Sequence, residues 1–268
     1  MTEQYDIREP FRTLWEGKDP FAKANALEGK IFRAVKNRKT LRFEHDGAGY
    51  FIKYHGPTAW KEILKNLFQF KLPVLGAENE YEAIRLLESL HIDTMRIAAF
   101  ARRGTVPAKL HSFLITEELL HRIPLEDYCR DWAANPPPES LKKRLTVKLA
   151  ETCGAMHNAG LNHRDCYLCH FLLDEEKFAS GEITLTVLDL HRAQIRKRIP
   201  RRMRVKDLAG IFFSSMDLGL TRRDMLRFIA VYQREEKLSA CLWRDVCRAA
   251  KRLYKKEYGR ECPVDFSL

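Results

Sequence analysis

The chain has 268 residues with 45% apolar and 31% charged side chains, and 47 basic against 36 acidic residues leave a net charge of +11. That length supports one large domain or two lobes with a real core. It holds no apolar run near the roughly 18 residues that a membrane span needs. The N-terminus, Met1 to Pro10, is charged and lacks the apolar stretch of a secretory signal, so a cytosolic location is expected. The seven cysteines are then read as reduced thiols, mostly in the core. The basic surplus points to an acidic partner: nucleic acid, an anionic membrane surface, or a phosphorylated or carboxylated substrate. Nucleic acid is set aside, because no zinc-finger, RNA-binding or helix-turn-helix pattern is found.

In chain order, residues 31–35, 40–43 and 50–54 read as three strands, with a basic turn Lys36-Asn37-Arg38-Lys39 and a hairpin signal at Asp46-Gly47. Residues 78–90 read as a helix with Ala83, Ile84, Leu87 and Leu90 on one face. Strands near 95–101 and 110–116 follow, so five strands and a helix make a small lobe over 1–118. From 119 to 268 the pattern is mainly helical. Pro136-Pro137-Pro138 sets the start of a helix over 139–159 that Gly160 stops. Strands at 171–173 and 183–189 flank a polar hairpin, and helices are predicted over 205–217, 221–235 and 239–256.

Four positions carry chemistry. Asp165 follows a helix on a loop, where a carboxylate can take the proton of an attacking hydroxyl. Asp189 ends the apolar run 183–188, and a carboxylate at a strand end suits Mg²⁺. Lys53 interrupts the apolar strand 50–54 and reads as a grip on nucleotide phosphates. Such a lysine needs a carboxylate beside it; Glu80 fits best, with Glu78 and Glu82 as alternatives. Phe113 to Leu119, with Glu117 and Leu119 at its end, is a candidate hinge for adenine. Together these are the parts that phosphoryl transfer from ATP requires.

Lys53, Glu80, His163-Arg164-Asp165 and Asp189, in that order, resemble the protein-kinase signature set. More closely, Gly160 to Phe171, Asp189-Leu190-His191 and Lys206-Asp207-Leu208-Ala209 resemble the lipopolysaccharide core heptose(I) kinases of the WaaP/RfaP type. The resemblance runs over most of the chain and is most specific at 160–171. It implies an α+β, bilobal, protein-kinase-like fold with a β-rich N-lobe and a larger helical C-lobe. It implies ATP with Mg²⁺, transfer to the first heptose of the lipopolysaccharide inner core, and peripheral work at the cytoplasmic face of the inner membrane. Acyl carrier protein is a further partner that the resemblance implies.

Three departures from ordinary protein kinases stand out. Val35 to Thr40 occupies the turn where a glycine-rich loop is usual. His170 stands where asparagine would hold a second metal, and imidazole is a poor ligand for Mg²⁺, so its role as a metal ligand stays open. Leu190-His191 replaces Phe-Gly. The Lys- and Arg-rich stretch 196–206 follows Asp189 closely, so Arg196, Arg201, Arg202 and Arg204 are candidates for acceptor binding. Cys166-Tyr167-Leu168-Cys169-His170 also has the Cys-x-x-Cys-His spacing of haem attachment. His163, Cys166, Cys169 and His170 are zinc-type ligands. Both metal readings compete with the kinase reading, as does a kinase-like module that binds lipid or nucleotide without catalysis.

Overall fold

The computed structural model describes residues 3–35, 38–61, 76–234 and 240–263. Lys36 and Asn37 of the basic turn lie outside the described residues. Contacts divide the chain into two compact units, Met1–Arg85 with Met95–Leu120 and Leu86–Thr94 with His121–Leu268. The fold is α+β, with the β-rich sheet in the first unit and most of the helix in the second.

The first unit carries a six-stranded antiparallel sheet of β1 (Glu3–Ile7), β2 (Lys30–Val35), β3 (Arg38–His45), β4 (Ala48–His55), β5 (Ile97–Arg103) and β6 (His111–Glu117), in the order β1-β5-β6-β4-β3-β2. Asp46 and Gly47 both take positive φ in the β3–β4 turn, as a tight hairpin requires. Strand alternation sends Tyr50 and Ile52 of β4 into the core and turns Phe51 and Lys53 to the other face. Lys53 sits in register between Thr40 and Leu114.

Two features of this unit escape sequence reading. β1 pairs with β5 as an edge strand, and its sequence Glu-Gln-Tyr-Asp-Ile offers only Tyr5 and Ile7 in alternation, too short a pattern to announce it. Phe11, Leu14 and Trp15 read as a short apolar cluster of no clear purpose. In the structure Phe11 and Trp15 are buried in the sheet's core with Phe21, Phe43, Tyr50 and Phe113, while Leu14 is exposed. They come from short helices α1 (Phe11–Leu14) and α2 (Pro20–Asn25), the second capped by Asp19 accepting from Phe21 N. Burying each such aromatic is worth about 2–3 kcal/mol.

Helix α3 (Glu78–Ser89) buries Glu80, Ala83, Ile84 and Leu87 along one stripe. Its last residues and the segment to Thr94 group with the second unit, whereas the division after Glu118 expected from the sequence keeps them with the sheet. The physical reason is local pairing: Thr94 Oγ1 donates to Val187 O at 2.8 Å, and Val187 N donates to Asp93 O at 2.9 Å.

The second unit contains α4 (Leu125–Tyr128), α5 (Glu139–Asn158), α6 (Glu175–Ala179), α7 (Arg201–Ser214), α8 (Arg222–Tyr232) and α9 (Ala240–Tyr258). α5 packs on α8 and α7 on α9. A three-stranded sheet joins β7 (Arg122–Pro124), β9 (Phe171–Asp174) and β10 (Leu185–Val187), and β8 (Leu161–Asn162) pairs with β11 (Gln194–Ile195). The polar segment after β9 is a helix, α6, and not a plain hairpin. Asp174 accepts from Lys177 N at 3.0 Å and so caps it, which outweighs the turn-like composition. Gly160 ends α5 with φ of 84°, and a Cβ there would lie 1.8 Å from Arg196 O, so only glycine fits.

Candidate active site

In the first unit, Lys53 Nζ lies 2.6 Å from Glu80 Oε1. β4 presents the lysine and α3 the carboxylate, which is 1% exposed. An unpaired carboxylate so deeply buried is costly, and the ammonium offsets that cost. Glu78 pairs instead with Arg102 at 2.7 Å, and Glu82 is exposed. At the end of β6, Glu117 N donates to Arg96 O at 3.0 Å, and Leu119 is half-buried. Between them Glu118 takes a two-pronged grip from Arg42, Nε at 2.6 Å and Nη2 at 2.7 Å. That hydrogen bonding holds the Glu118 carboxyl below its usual range.

In the second unit, the loop after β8 carries Asp165, and a buried carboxylate from α7 fixes its backbone. Asp207 accepts from Asn162 Nδ2 at 2.6 Å, His163 N at 2.7 Å and Arg164 N at 2.9 Å. His157 Nε2 approaches it at 3.4 Å, and Tyr232 Oη lies 2.6 Å from His157 Nδ1. Burial acts to raise the Asp207 pKa, but hydrogen bonds from His157 and Asn162 and the nearby imidazoles outweigh it and leave the carboxyl below its ordinary value. These bonds also hold Arg164 at φ of 74°, a conformation that costs a non-glycine residue about 1 kcal/mol or more. Gly210 brings α7 against the same loop, since a Cβ there would lie 2.3 Å from Cys166 O.

The Asp165 carboxylate is bound by cations. Arg192 Nη1 lies 2.9 Å and 3.0 Å from its two oxygens. Lys206 Nζ donates to Arg164 O at 2.5 Å and stands 3.9 Å from Asp165 Oδ1. Burial lowers the Lys206 pKa, although the Asp165 charge works in the opposite direction. The Asp165 backbone is held as well: His170 Nδ1 lies 2.7 Å from Asp165 O, so that nitrogen carries the proton and donates. His170 Nε2 then faces Asp189 Oδ2 at 3.6 Å, and His163 stacks on His170 with its Nε2 2.8 Å from Leu188 O. Burial pushes the His163 pKa down, so the ring is kept neutral.

Asp189 takes a left-handed conformation, φ 58° and ψ 49°, two residues beyond β10. His191 Nδ1 approaches its Oδ1 at 2.5 Å, and the side chain is 36% exposed. One accessible carboxylate fits an ion such as Mg²⁺, which takes most of its ligands from phosphate and water. It does not fit zinc: among the described residues no group of three or more His, Cys, Asp or Glu is arranged to hold a metal. Within the Cys-x-x-Cys-His spacing Cys166 belongs to the core, while Cys169 and His170 are half-buried. Cys166 is 2% exposed, and burial followed by the neighbouring Cys153 thiol pushes its pKa well up. A thiol so placed is not offered to a haem vinyl group.

The basic stretch divides by environment. Arg202 is exposed, Arg196 is half-buried with Nη1 in the interior, and Arg201 is tied to Asp245 at 2.5 Å. Arg204 is buried at 7% exposure, so its charge is not on the surface.

Sequence reading placed Asp207 in the Lys206-Asp207-Leu208-Ala209 motif without giving it a role, and it missed Arg192 and Gly210 as parts of this site. Asp207 had a signal, because it is an acidic residue on the same face of α7 as Leu208 and Ile211. Arg192 had none, since no motif or period around it marks Asp165 as its partner.

A family model for the lipopolysaccharide kinase (Kdo/WaaP) family matches residues 22–232. The lipopolysaccharide core heptose(I) kinase WaaP of Pseudomonas aeruginosa is 48% identical over 263 residues, covering 94% of this chain and 97% of that protein. The protein of the same name from Escherichia coli strain K12 is 50% identical over 228 residues, 85% of this chain and 86% of its own. A solved structure of WaaP in complex with acyl carrier protein superposes with a TM-score of 0.80 at 43% identity, covering 94% of this chain and 99% of that one.

Proposed function

The chain belongs to the lipopolysaccharide kinase (Kdo/WaaP) family, and we propose from that membership that it phosphorylates the first heptose of the lipopolysaccharide inner core. Kinase membership implies ATP as the phosphoryl donor. The observation that carries the reading is the Asp165 loop. A carboxylate sits on a backbone pinned by Asp207, with 17% of its side chain open to solvent. Asp165 takes the proton of the heptose hydroxyl, the freed oxygen attacks the γ-phosphorus, and the bond to the bridging oxygen breaks to release ADP.

The other residues have supporting roles. Lys53, oriented by Glu80, takes the α- and β-phosphates. Backbone groups at Glu117 and Leu119 take the adenine. Asp189 would hold Mg²⁺, which when bound neutralises phosphate charge. His170 serves through its bond to the Asp165 carbonyl, which keeps the loop and Asp189 in register. Arg196, Arg201 and Arg202 face an acceptor rich in acidic sugars, whereas buried Arg204 supports the helix that carries Asp207.

No helix among the described residues is long and apolar enough to cross a membrane. In this reading, which rests on the family resemblance, the protein works peripherally at the cytoplasmic face of the inner membrane. Acyl carrier protein, bound by the solved relative, is a partner here too.

The test is radiolabelled ATP with core lipopolysaccharide lacking phosphate, followed by mapping of the phosphate. Label on the first heptose is expected, and Asp165→Asn should lower turnover by about 10² to 10⁴. Label on another sugar or on protein, or a variant near wild-type turnover, overturns the assignment.

A further inference from the structure

Helix α9 presents a charged face that phosphoryl transfer does not use. Its inner face, Leu242, Trp243, Val246, Ala250 and Tyr254, is buried, and Trp243 meets Phe212 of α7 with ring centres 6.0 Å apart. On the outside, Arg244, Arg248, Lys251 and Lys255 recur at the spacing i, i+4, i+7, i+11. At 100° per residue these four fall within about 60° of one another and extend for about 16 Å along the axis. With Arg252 and Glu261 they line an open basin of about 450 Å³. Some are engaged locally: Arg248 Nη1 is 3.2 Å from Asp245, Arg244 Nη2 is 3.0 Å from Cys241 Sγ, and Lys255 pairs with Glu261. The surplus persists, since residues 240–263 hold seven Lys and Arg against three Asp and Glu. Tyr258 lies on the same side of the helix, about 40° from Arg244, and is 53% exposed.

We propose that this face of α9 is the surface by which the protein rests on an anionic phospholipid bilayer. A row of long cations flanked by an aromatic ring suits headgroup phosphates, which move laterally to meet the charges and need no fixed register. Tyr258 packs on Phe213 and Tyr254, with ring centres 6.0 Å and 4.6 Å away, which holds its exposed edge beside the cationic row. An acidic protein would also satisfy the charge, but only a bilayer also carries the lipid-anchored acceptor of the proposed reaction. The need for such a surface rests on the lipopolysaccharide kinase reading, because a lipid-anchored acceptor is held in a membrane. α9 lies on the surface and does not span the bilayer.

Full-length protein is sedimented with vesicles of phosphatidylethanolamine alone and of phosphatidylethanolamine with phosphatidylglycerol. Wild type should bind only the anionic vesicles and release as salt rises. The variant Arg248→Gln/Lys251→Gln/Arg252→Gln/Lys255→Gln should bind them about a hundredfold or more weakly, since each cation near the surface contributes about fivefold. Its phosphorylation of delipidated core oligosaccharide should be unchanged, while turnover of vesicle-borne acceptor falls. Arg248→Lys/Arg252→Lys keeps the charge and should keep binding, which separates charge loss from misfolding. Equal binding by wild type and the quadruple variant overturns the proposal, as does equal binding to neutral vesicles. Loss of binding to acyl carrier protein with vesicle binding intact overturns it in favour of a protein partner. Wild type that binds anionic vesicles but phosphorylates neither acceptor strikes the kinase reading and leaves this one standing.

Discussion

Arg192 Nη1 touches both carboxylate oxygens of Asp165, at 2.9 Å and 3.0 Å, so a guanidinium from the segment after Asp189 orients the proposed base. Arg192→Gln should cut kcat by about tenfold or more through lost alignment, while KM for ATP stays near wild type. The arginine is 40% exposed, so the stability cost should be about 1 kcal/mol or less. Steady-state kinetics beside a thermal melt separates the two effects. A melt lowered as much as by a core substitution would make Arg192 structural.

Lys53 and Glu80 should be coupled in stability but not in activity. Lys53→Met leaves the Glu80 carboxylate uncompensated inside the protein and should cost about 2–3 kcal/mol. Lys53→Met/Glu80→Leu removes both charges and should recover much of that loss while remaining inactive. Denaturant unfolding with a double-mutant cycle measures the coupling. Restored activity in the double variant would remove Lys53 from the nucleotide site.

Gly210 is required by a close approach and not by its own backbone. A Cβ there would lie 2.3 Å from Cys166 O, beside Asp165. Gly210→Ala gains helix propensity of about 1 kcal/mol, yet it should displace the loop and lower kcat by about tenfold or more. Wild-type kcat with a higher melting point would show that the loop tolerates the shift.

Asp207→Asn should destabilise the second unit by about 3 kcal/mol, because the amide keeps one acceptor oxygen and turns its NH2 donors on the backbone N–H of either His163 or Arg164. The sign of the pH effect follows from the lowered Asp207 pKa. A depressed folded value contributes stability that is fully present above the unfolded value of about 3.9 and is lost as pH falls through the folded value. The variant should therefore show a flatter acid limb in unfolding free energy below about pH 4. An acid limb as steep as that of wild type would mean that Asp207 does not titrate on unfolding.

The parts that could be read in advance are those with short-range signals. Alternation in β3 and β4, the buried stripe of α3, the proline-set start of α5 and the 160–171 loop all have periods or punctuation within a few residues. β1 was hidden because an exposed edge strand needs no apolar alternation. α6 was hidden because its length and composition match a turn, and only the Asp174 cap distinguishes it.

By itself the chain determined the chemical inventory: a lysine in an apolar strand, glutamates on one helix, a loop Asp165, a strand-end Asp189 and a cationic stretch after it. Residue types, order and local spacing carry that information, because strands and helices impose it every two to four residues. Tertiary structure decided which groups meet. Lys53 takes Glu80 and leaves Glu78 to Arg102. Arg192 reaches Asp165, Asp207 pins the loop, and Arg204 is drawn inside while Arg202 stays out. These partnerships span 24 to 45 residues of chain. Packing and the cost of unpaired buried charge select them, and no local pattern encodes either.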